Sequence, residues 1–385
     1  MWKLMHDNAI SETDRKNLAD YVINVPKLTA GEKVKEFEKK WSEWLGVKHS
    51  VFVNSGSSAN LILVQAAIDL YGQRNWSAQS CTWATNISPI IQLNKNCGLY
   101  LTDTDLVNLG PNLEDLEIHI KSYGVKYLFV THVLGFPAIS EQLLSLCTKH
   151  NVMLFEDCCE SHGSTWNGKK VGTFGKASTF SFYYGHHMTT IEGGMVCTDD
   201  DEFYERLILL RSHGMLRELP LERQEQLLVD GVDRRFTFLC SGYNVRNTDL
   251  HASLGISQMS RLEKSIEIRN NNLKTFLDNI DSNKYYTGFN RDGVSLYAFP
   301  IIHLGKDTKS ITNILTENNI ENRPLIAGNL LRHPMCKNSN SFIFPIYSDC
   351  KTSEFMHEKS FYVGNNEFVT TEDVIKLCQI LNKIN

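Results

Sequence analysis

Between about Lys48 and Asp200 the chain alternates short β-rich runs with stretches of helical period, and this alternation limits the possible folds more than any other feature. Ser50–Asn54 (SVFVN) reads as a strand and Ser57–Leu70 (SSANLILVQAAIDL) as the helix that follows it. Cys97–Thr102 and Val125–Thr131 (VKYLFVT) read as strands separated by a helix over Asn112–Ser122. Ile139–His150 is helical, and Val152–Phe155, Ser178–Phe182 and Gly194–Thr198 are further strands. Strands that alternate with helices predict the α/β class, a mostly parallel sheet covered on both faces. Ligands on such sheets gather where strands end and helices begin.

The pattern changes further along. A helix over Glu202–Arg211 precedes Glu218–Arg235, a run rich in Leu, Glu, Arg and Asp that reads as a solvated helix or loop rather than a catalytic charge cluster. A long helix (Thr248–Phe276), a strand (Val294–Ile302), a helix (Thr308–Asn318) and a closing helix (Thr371–Leu381) follow. This predicts a large α/β domain over residues 1–247 and a smaller α+β domain over residues 248–385. A chain of 385 residues buries enough surface to dispense with disulfides or a structural metal.

Composition excludes several function classes. With 39 basic and 44 acidic residues well interspersed, the net charge of −5 carries no nucleic-acid footprint. No apolar run reaches the ~18–20 residues of a membrane helix, and the opening Met1-Trp-Lys-Leu-Met-His-Asp lacks the apolar core of a signal peptide, so a cytoplasmic protein is expected. The ten cysteines show no C-x-x-C and no regular spacing, which argues against a zinc site or a secreted disulfide framework. Adjacent Cys158 and Cys159 read as buried thiols.

Three segments carry chemistry. Asn54-Ser-Gly-Ser-Ser-Ala-Asn60 lies between a strand and a helix, where free N–H groups and hydroxyls suit a phosphate; a Ser N-cap with a glycine turn is the alternative. Phe155-Glu-Asp-Cys-Cys-Glu-Ser-His162 runs an apolar strand into three carboxylates. Asp157 would end a central strand, where a buried carboxylate needs a partner: a protonated cofactor ring nitrogen, an Arg or Lys, or the next turn. Thr179 to Val196 (TFSFYYGHHMTTIEGGMV) places two histidines in a turn ahead of Gly193-Gly194. Adjacent histidines do not readily share one metal, whereas imidazole suits proton transfer near neutral pH; a structural histidine is the alternative.

Taken in order, strand–SGSSAN–helix, Trp83, EDCCES, SFYYGHHMTTIEGG and Ser241-Gly-Tyr-Asn-Val-Arg246 resemble the sugar aminotransferases of the aspartate-aminotransferase (fold type I) group. The similarity runs from about Gly31 to the Tyr362-Val-Gly-Asn365 segment. It implies pyridoxal 5′-phosphate or its amine form, pyridoxamine 5′-phosphate, as cofactor, and a homodimer with shared active sites. Gly56, Ser57 and Ser181 would hold the phosphate, with Asn244 reaching over from the neighbouring subunit. Trp83 would stack on the pyridine ring, Asp157 would pair with the ring nitrogen, and Glu160 would approach the 3′-oxygen. His213 and Arg217 match positions on the substrate side, and His187 is expected to point away as a structural neighbour.

One departure from the family pattern redirects the chemistry. The aminotransferases carry a lysine six residues before the Glu of Glu192-Gly-Gly, and its amine forms the Schiff base; here that position is His186. Imidazole cannot form a Schiff base, so it is left to move protons. Histidine in this slot resembles enzymes that remove the C3 hydroxyl of nucleotide-linked 4-keto-6-deoxy sugars. One such type binds an iron–sulfur cluster through cysteines that include a C-x-C pair, and Cys240, Cys336, Cys350 and Cys378 lack that spacing. The cluster-free type, the GDP-4-keto-6-deoxy-D-mannose 3-dehydratases, is the closer resemblance. It implies L-glutamate as co-substrate, catalysis by His186 and a 3,6-dideoxy-4-keto sugar nucleotide as product. The rival readings are a slow 4-aminotransferase and a non-catalytic ligand-binding relative. Arg323 and Asn329 are candidate nucleotide contacts, with an ordinary exposed charge as the alternative for Arg323.

Overall fold

The computed structural model describes residues 2–305, 307–337, 343–345 and 350–384. Its strands, in chain order, are β1 (His49–Val53), β2 (Asn75–Gln79), β3 (Leu99–Thr102), β4 (Val125–Thr131), β5 (Met153–Asp157), β6 (Thr165–Trp166) and β7 (Lys169–Lys170). They continue with β8 (Ala177–Ser181), β9 (Gly194–Thr198), β10 (Ala298–Ile302), β11 (Asn322–Pro324), β12 (Ile343–Pro345) and β13 (Ser360–Gly364). Eight of them form one sheet in the order β1-β9-β8-β5-β4-β2-β3-β12. All pairings are parallel except those of β9, which runs antiparallel to β1 and β8. The class is α/β, as the alternation predicts. Every residue of β8 and β9 is buried, the signature of a sheet covered on both faces.

Element limits follow local chemistry. The helix expected from Ile139 begins at Glu141, because the Ser140 hydroxyl accepts from Leu143 N at 3.1 Å and caps it. Asn151, left-handed at φ 52°, closes that helix. β5 runs two residues beyond the expected Phe155: Glu156 and Asp157 pair in register with Val130 and Thr131 on one side and Ser178 and Thr179 on the other. Asp157 is thereby fixed at the C-terminal edge of the sheet. β2 (NWSAQ) has no β-branched residue to announce it, and pairing on both edges makes it a strand. Its Trp76 packs on Tyr127 at 4.8 Å and Phe155 at 5.4 Å between ring centroids.

The Glu218–Arg235 segment is largely exposed and holds a short helix (Leu221–Gln226), matching the solvated excursion expected of it. A 31-residue helix, Asp249–Asn279, follows. Asp249 Oδ1 accepts from Gly31 N at 2.8 Å and Val34 N at 2.9 Å, tying this helix to Glu32–Leu45. A three-stranded antiparallel sheet, β10-β13-β11, follows. The N-terminal residues lie on it: Trp2 bridges to Ile320, and its Nε1 donates to Gly364 O at 2.7 Å. Among the described residues no helix is long and apolar enough to cross a membrane.

Candidate active site

The C-terminal ends of β5 and β8 and the N-terminus of helix Gly56–Tyr71 meet at one edge of the large sheet. Asp157 is buried there. Its Oδ2 accepts from Asn60 Nδ2 at 3.0 Å and its Oδ1 from Cys159 N at 2.9 Å. Asn60 is held in turn, with Oδ1 accepting from Thr179 Oγ1 at 2.7 Å. Among the described residues no lysine, arginine or histidine pairs with Asp157, so a buried carboxylate is oriented by neutral donors and left without a cation. Such a group needs a positively charged partner, and a protonated pyridine ring supplies one.

An anion cradle lies beside it. The Ser55 hydroxyl caps the helix by accepting from Ser58 N at 3.0 Å, leaving the first N–H groups, those of Gly56 and Ser57, without intrahelical acceptors. A Cβ at Gly56 would stand 2.6 Å from Ser181 Cβ and 3.2 Å from Cys159 Sγ, so only glycine lets this backbone approach β8 so closely. Trp83, the residue capping helix Ala84–Leu93, leaves its indole half exposed at 53%. It follows Thr82, whose hydroxyl meets that of Thr131 at 2.6 Å, and Thr131 is the register partner of Asp157. A half-exposed indole suits stacking on a planar ring.

Glu160 sits in the turn after β5, with Oε2 accepting from Leu134 N at 2.9 Å. Burial, reinforced by the charge of Asp157 and opposed by the Leu134 N–H, pushes its carboxyl up to about 8. It therefore carries a proton over much of the neutral range. Tyr297 and Tyr362 lie close enough to feel its charge, and burial pushes both phenols upward.

His186 occupies the turn after β8, anchored by its N–H to Tyr183 O at 3.0 Å, with its ring 5.3 Å from that of Tyr297. Burial first, and the buried Arg269 guanidinium second, pull its imidazole down to about 3, so it is neutral near pH 7. The three lysines that most closely precede this turn in the sequence are engaged elsewhere. Lys169 Nζ donates to Thr173 O, Lys170 Nζ to Trp44 O, and Lys176 is paired with Asp200. His187 is held by Ser295: its Nε2 lies 3.0 Å from Ser295 O and 3.1 Å from Ser295 Oγ, and its ring, like that of His186, lies near His162 and Tyr297.

Of His213, Arg217 and Asn244, the last two are exposed and His213 is half-buried. His213 is left-handed at φ 61° and its N–H donates to Tyr243 O at 2.6 Å, while Ser212 bridges to Asn244. Arg217 is exposed, 5.9 Å above the Phe236 ring. Among the described residues no hydrogen bond or ion pair joins these three to Asp157, Glu160, Ser181 or His186 within one chain. Arg323 donates to Glu321 at 2.7 Å, and Asn329 is buried with its amide on Glu354. His132, Glu156 and Cys158 converge closely enough to hold an ion. Yet His132 Nδ1 accepts from Ala138 N at 3.0 Å, which leaves Nε2–H to donate to Glu156 at 3.1 Å, so both nitrogens are engaged in a structural strut.

Comparison with known proteins adds to this geometry. The profile of the DegT/DnrJ/EryC1/StrS aminotransferase family matches residues 9–382. The chain belongs to that family. Its fold is that of the fold type I pyridoxal phosphate enzymes. Within the family it is 31% identical over 390 aligned positions to the GDP-4-keto-6-deoxy-D-mannose 3-dehydratase of Yersinia pseudotuberculosis, covering 97% of this chain and 98% of the relative. A crystal structure of GDP-4-keto-6-deoxymannose-3-dehydratase with bound GDP-perosamine superposes with a TM-score of 0.92 at 27% identity, covering 99% of this chain and 100% of that one. Another, holding a trapped PLP-glutamate geminal diamine, superposes with a TM-score of 0.90 at 27% identity and the same coverage.

The sequence motifs left some members of this family site without a role. Asn60 stands inside the quoted SGSSAN run, and its hold on Asp157 becomes visible only when two segments 97 residues apart meet. Tyr297 and Arg269 lie outside every quoted motif. No local signal marks either.

Proposed function

We propose that this protein is a pyridoxal phosphate- and glutamate-dependent lyase that removes the C3 hydroxyl of a GDP-linked 4-keto-6-deoxy sugar. The product is a 3,6-dideoxy-4-keto sugar nucleotide for surface polysaccharide biosynthesis. The observation that carries this reading is His186 in the lysine slot, neutral and on the turn after β8, the strand whose Thr179 is the register partner of the uncompensated Asp157, with Lys169, Lys170 and Lys176 engaged elsewhere. The net reaction balances: L-glutamate and the keto sugar give 2-oxoglutarate, ammonia and the deoxygenated sugar, with glutamate supplying the two electrons. Relatives named as 3-dehydratases over nearly the whole chain support it.

Bound pyridoxal or pyridoxamine phosphate supplies an electron sink that lets a neighbouring C–H bond ionise and a hydroxyl depart. The residues of this chain do the rest. Gly56, Ser57 and Ser181 hold the phosphate at the helix start, with Asn244 contributed by the second subunit of a homodimer. Asp157, oriented by Asn60 and the Cys159 N–H, pairs with the ring nitrogen and holds its proton there. Trp83 covers one ring face, and Glu160 presents a carboxyl to the 3′-oxygen. His186 takes and returns the proton, and without an amine it cannot pass nitrogen to the sugar by exchange. His213 and Arg217 are assigned to the sugar nucleotide. We assign residues 1–247 to the cofactor domain and residues 248–385 to the smaller one. The thiols are all unpaired, which supports a reducing cytoplasm.

The test is to incubate the purified protein with glutamate and a panel of 4-keto-6-deoxy sugar nucleotides, following ammonia and product mass. The lyase releases ammonia and 2-oxoglutarate with a sugar lighter by one oxygen. An aminotransferase keeps nitrogen on the sugar, and a binding protein does neither. Either of those outcomes overturns the reading.

A further inference from the structure

The turn that carries His186 is held unevenly. At its base Phe182 O accepts from Thr190 N at 3.0 Å and from Thr189 Oγ1 at 3.1 Å, and Thr189 N donates to Gln258 Oε1 at 3.0 Å. The bond from His186 N to Tyr183 O closes the turn without tying it to another element. At the tip, among the described residues, the peptide groups of Tyr184 and Gly185 make no hydrogen bond. What meets the tip is the N-terminal segment. The Tyr184 hydroxyl donates to Asp7 O at 3.4 Å, 177 residues away in sequence. Gly185 is buried, and a Cβ placed on it would stand 3.2 Å from Met5 Cγ, 3.7 Å from Met5 Sδ and 3.5 Å from the Tyr297 hydroxyl. The segment is pinned on both sides of Met5. Before it, Trp2 Nε1 donates to Gly364 O at 2.7 Å and Leu4 N to Glu321 Oε2 at 3.0 Å. After it, Ala9 O accepts from Gln258 Nε2 at 2.9 Å and from Arg261 at 2.7 Å. One side-chain amide, that of Gln258, therefore ties the segment to the base of the turn.

We propose that residues 2–9 are a strap that sets the position of His186, with Met5 as a positioning residue that acts through Gly185. The inference rests on His186 being the residue that moves protons. A turn tip whose peptide groups are unbonded is held by packing, and packing forces fade within a fraction of an ångström once a neighbour is lost. Met5 supplies that neighbour. It is half-buried against the apolar cluster that contains Tyr297, whose ring lies 5.3 Å from that of His186, so it is a packed side chain rather than a loose end. Gly185 is joined to His186 by a peptide bond, and a shift of one carries the imidazole of the other. Proton transfer tolerates little of this, since about 1 Å of misplacement can slow a reaction about 10²-fold. The φ of Gly185 is not left-handed, so closeness to Met5, rather than backbone conformation, is what excludes a side chain there.

Crystal structures of the cofactor-free protein and kinetics of the glutamate half-reaction, followed by cofactor absorbance, test the strap together. In Met5→Ala the Gly185–His186 tip should move by about 1 Å and the saturating rate should fall about tenfold or more, while the glutamate concentration for half that rate and the affinity for pyridoxal phosphate stay within about threefold of wild type. Met5→Leu, close in volume, should keep most of the rate. Gly185→Ala should also be slow, because its methyl presses on Met5. The double variant Met5→Ala/Gly185→Ala should be faster than Gly185→Ala alone, since the new methyl takes space that the thioether leaves; independent effects would multiply instead. An unmoved tip or an unchanged rate in Met5→Ala overturns the strap, as does a rate that falls only in step with cofactor affinity. A double variant at the product of the two single effects overturns the route through Gly185. Should Met5→Ala not fold, Gly185→Ala decides alone, and a wild-type rate there overturns the contact. His186→Asn separates this from the parent reading: if it keeps the wild-type rate, His186 is not the proton carrier and the function assigned above fails first, whereas a slow His186→Asn beside a fast Met5→Ala removes only the strap.

Discussion

Replacing Asn60 by Ala probes the link between the fold and the site most directly. The side chain is 1% exposed, donates to Asp157 Oδ2 at 3.0 Å and accepts from Thr179 Oγ1 at 2.7 Å. A hydrogen bond to a charged group is worth about 1.5–3 kcal/mol, and a hydroxyl left unsatisfied in the interior costs about 1–3 kcal/mol. The two terms share one side chain and are not strictly additive, so the expected loss of folding stability is about 2–5 kcal/mol. The part borne by the carboxylate also weakens its hold on the ring nitrogen. At 1.4 kcal/mol per factor of ten, that is about a 10–150-fold loss of affinity for pyridoxal phosphate. Titration of the cofactor absorbance, run beside urea unfolding, separates the two effects. Thr179→Val is the control: it removes the hydroxyl but leaves the bond to Asp157, so it should cost stability with little change in affinity. On an Asp157→Asn background, Asn60→Ala should add little further loss of affinity. An Asn60→Ala protein that loses stability yet binds the cofactor as wild type does would refute the claim that Asn60 tunes Asp157.

His186→Asn should lower deoxygenation by about 10²–10⁴-fold, the range for removal of a general base, with the folding midpoint little changed. His186→Lys should stop deoxygenation as well, because its amine reacts with the cofactor; steady dehydration by that variant contradicts the assigned role. Glu160 makes stability depend on pH. Its folded pKa of about 8 stands above its ordinary value of 4.5, so the folded state binds the extra proton. The stabilisation is complete below 4.5 and is lost as pH rises through 8. The cofactor-free protein should therefore show a falling urea midpoint between those limits, and Glu160→Gln should flatten the curve. An unchanged slope in Glu160→Gln assigns the pH dependence elsewhere.

Local sequence carried much of the fold. The strands over Val125–Thr131 and Gly194–Thr198 have the limits that their composition indicates, since both are apolar runs bounded by turn residues. β2 was not legible, because Asn, Trp, Ser, Ala and Gln earn strand geometry only from neighbours on both edges. Helix Ala84–Leu93 was equally silent, with Pro89 inside it. β11 and β13 pair with each other in a small sheet that no local periodicity announced.

For the site, chemical identity was written in the chain and chemical state was not. An imidazole where relatives keep an amine, a carboxylate at a strand end and a glycine-serine helix start are covalent facts, and they limit which reactions are open. The tertiary structure decided what each group is. It left Asp157 buried without a cation, and it raised the proton affinity of Glu160 while lowering that of His186. Those properties depend on solvent removed and on charges brought close by segments far apart in sequence, and no local stretch of the chain encodes either.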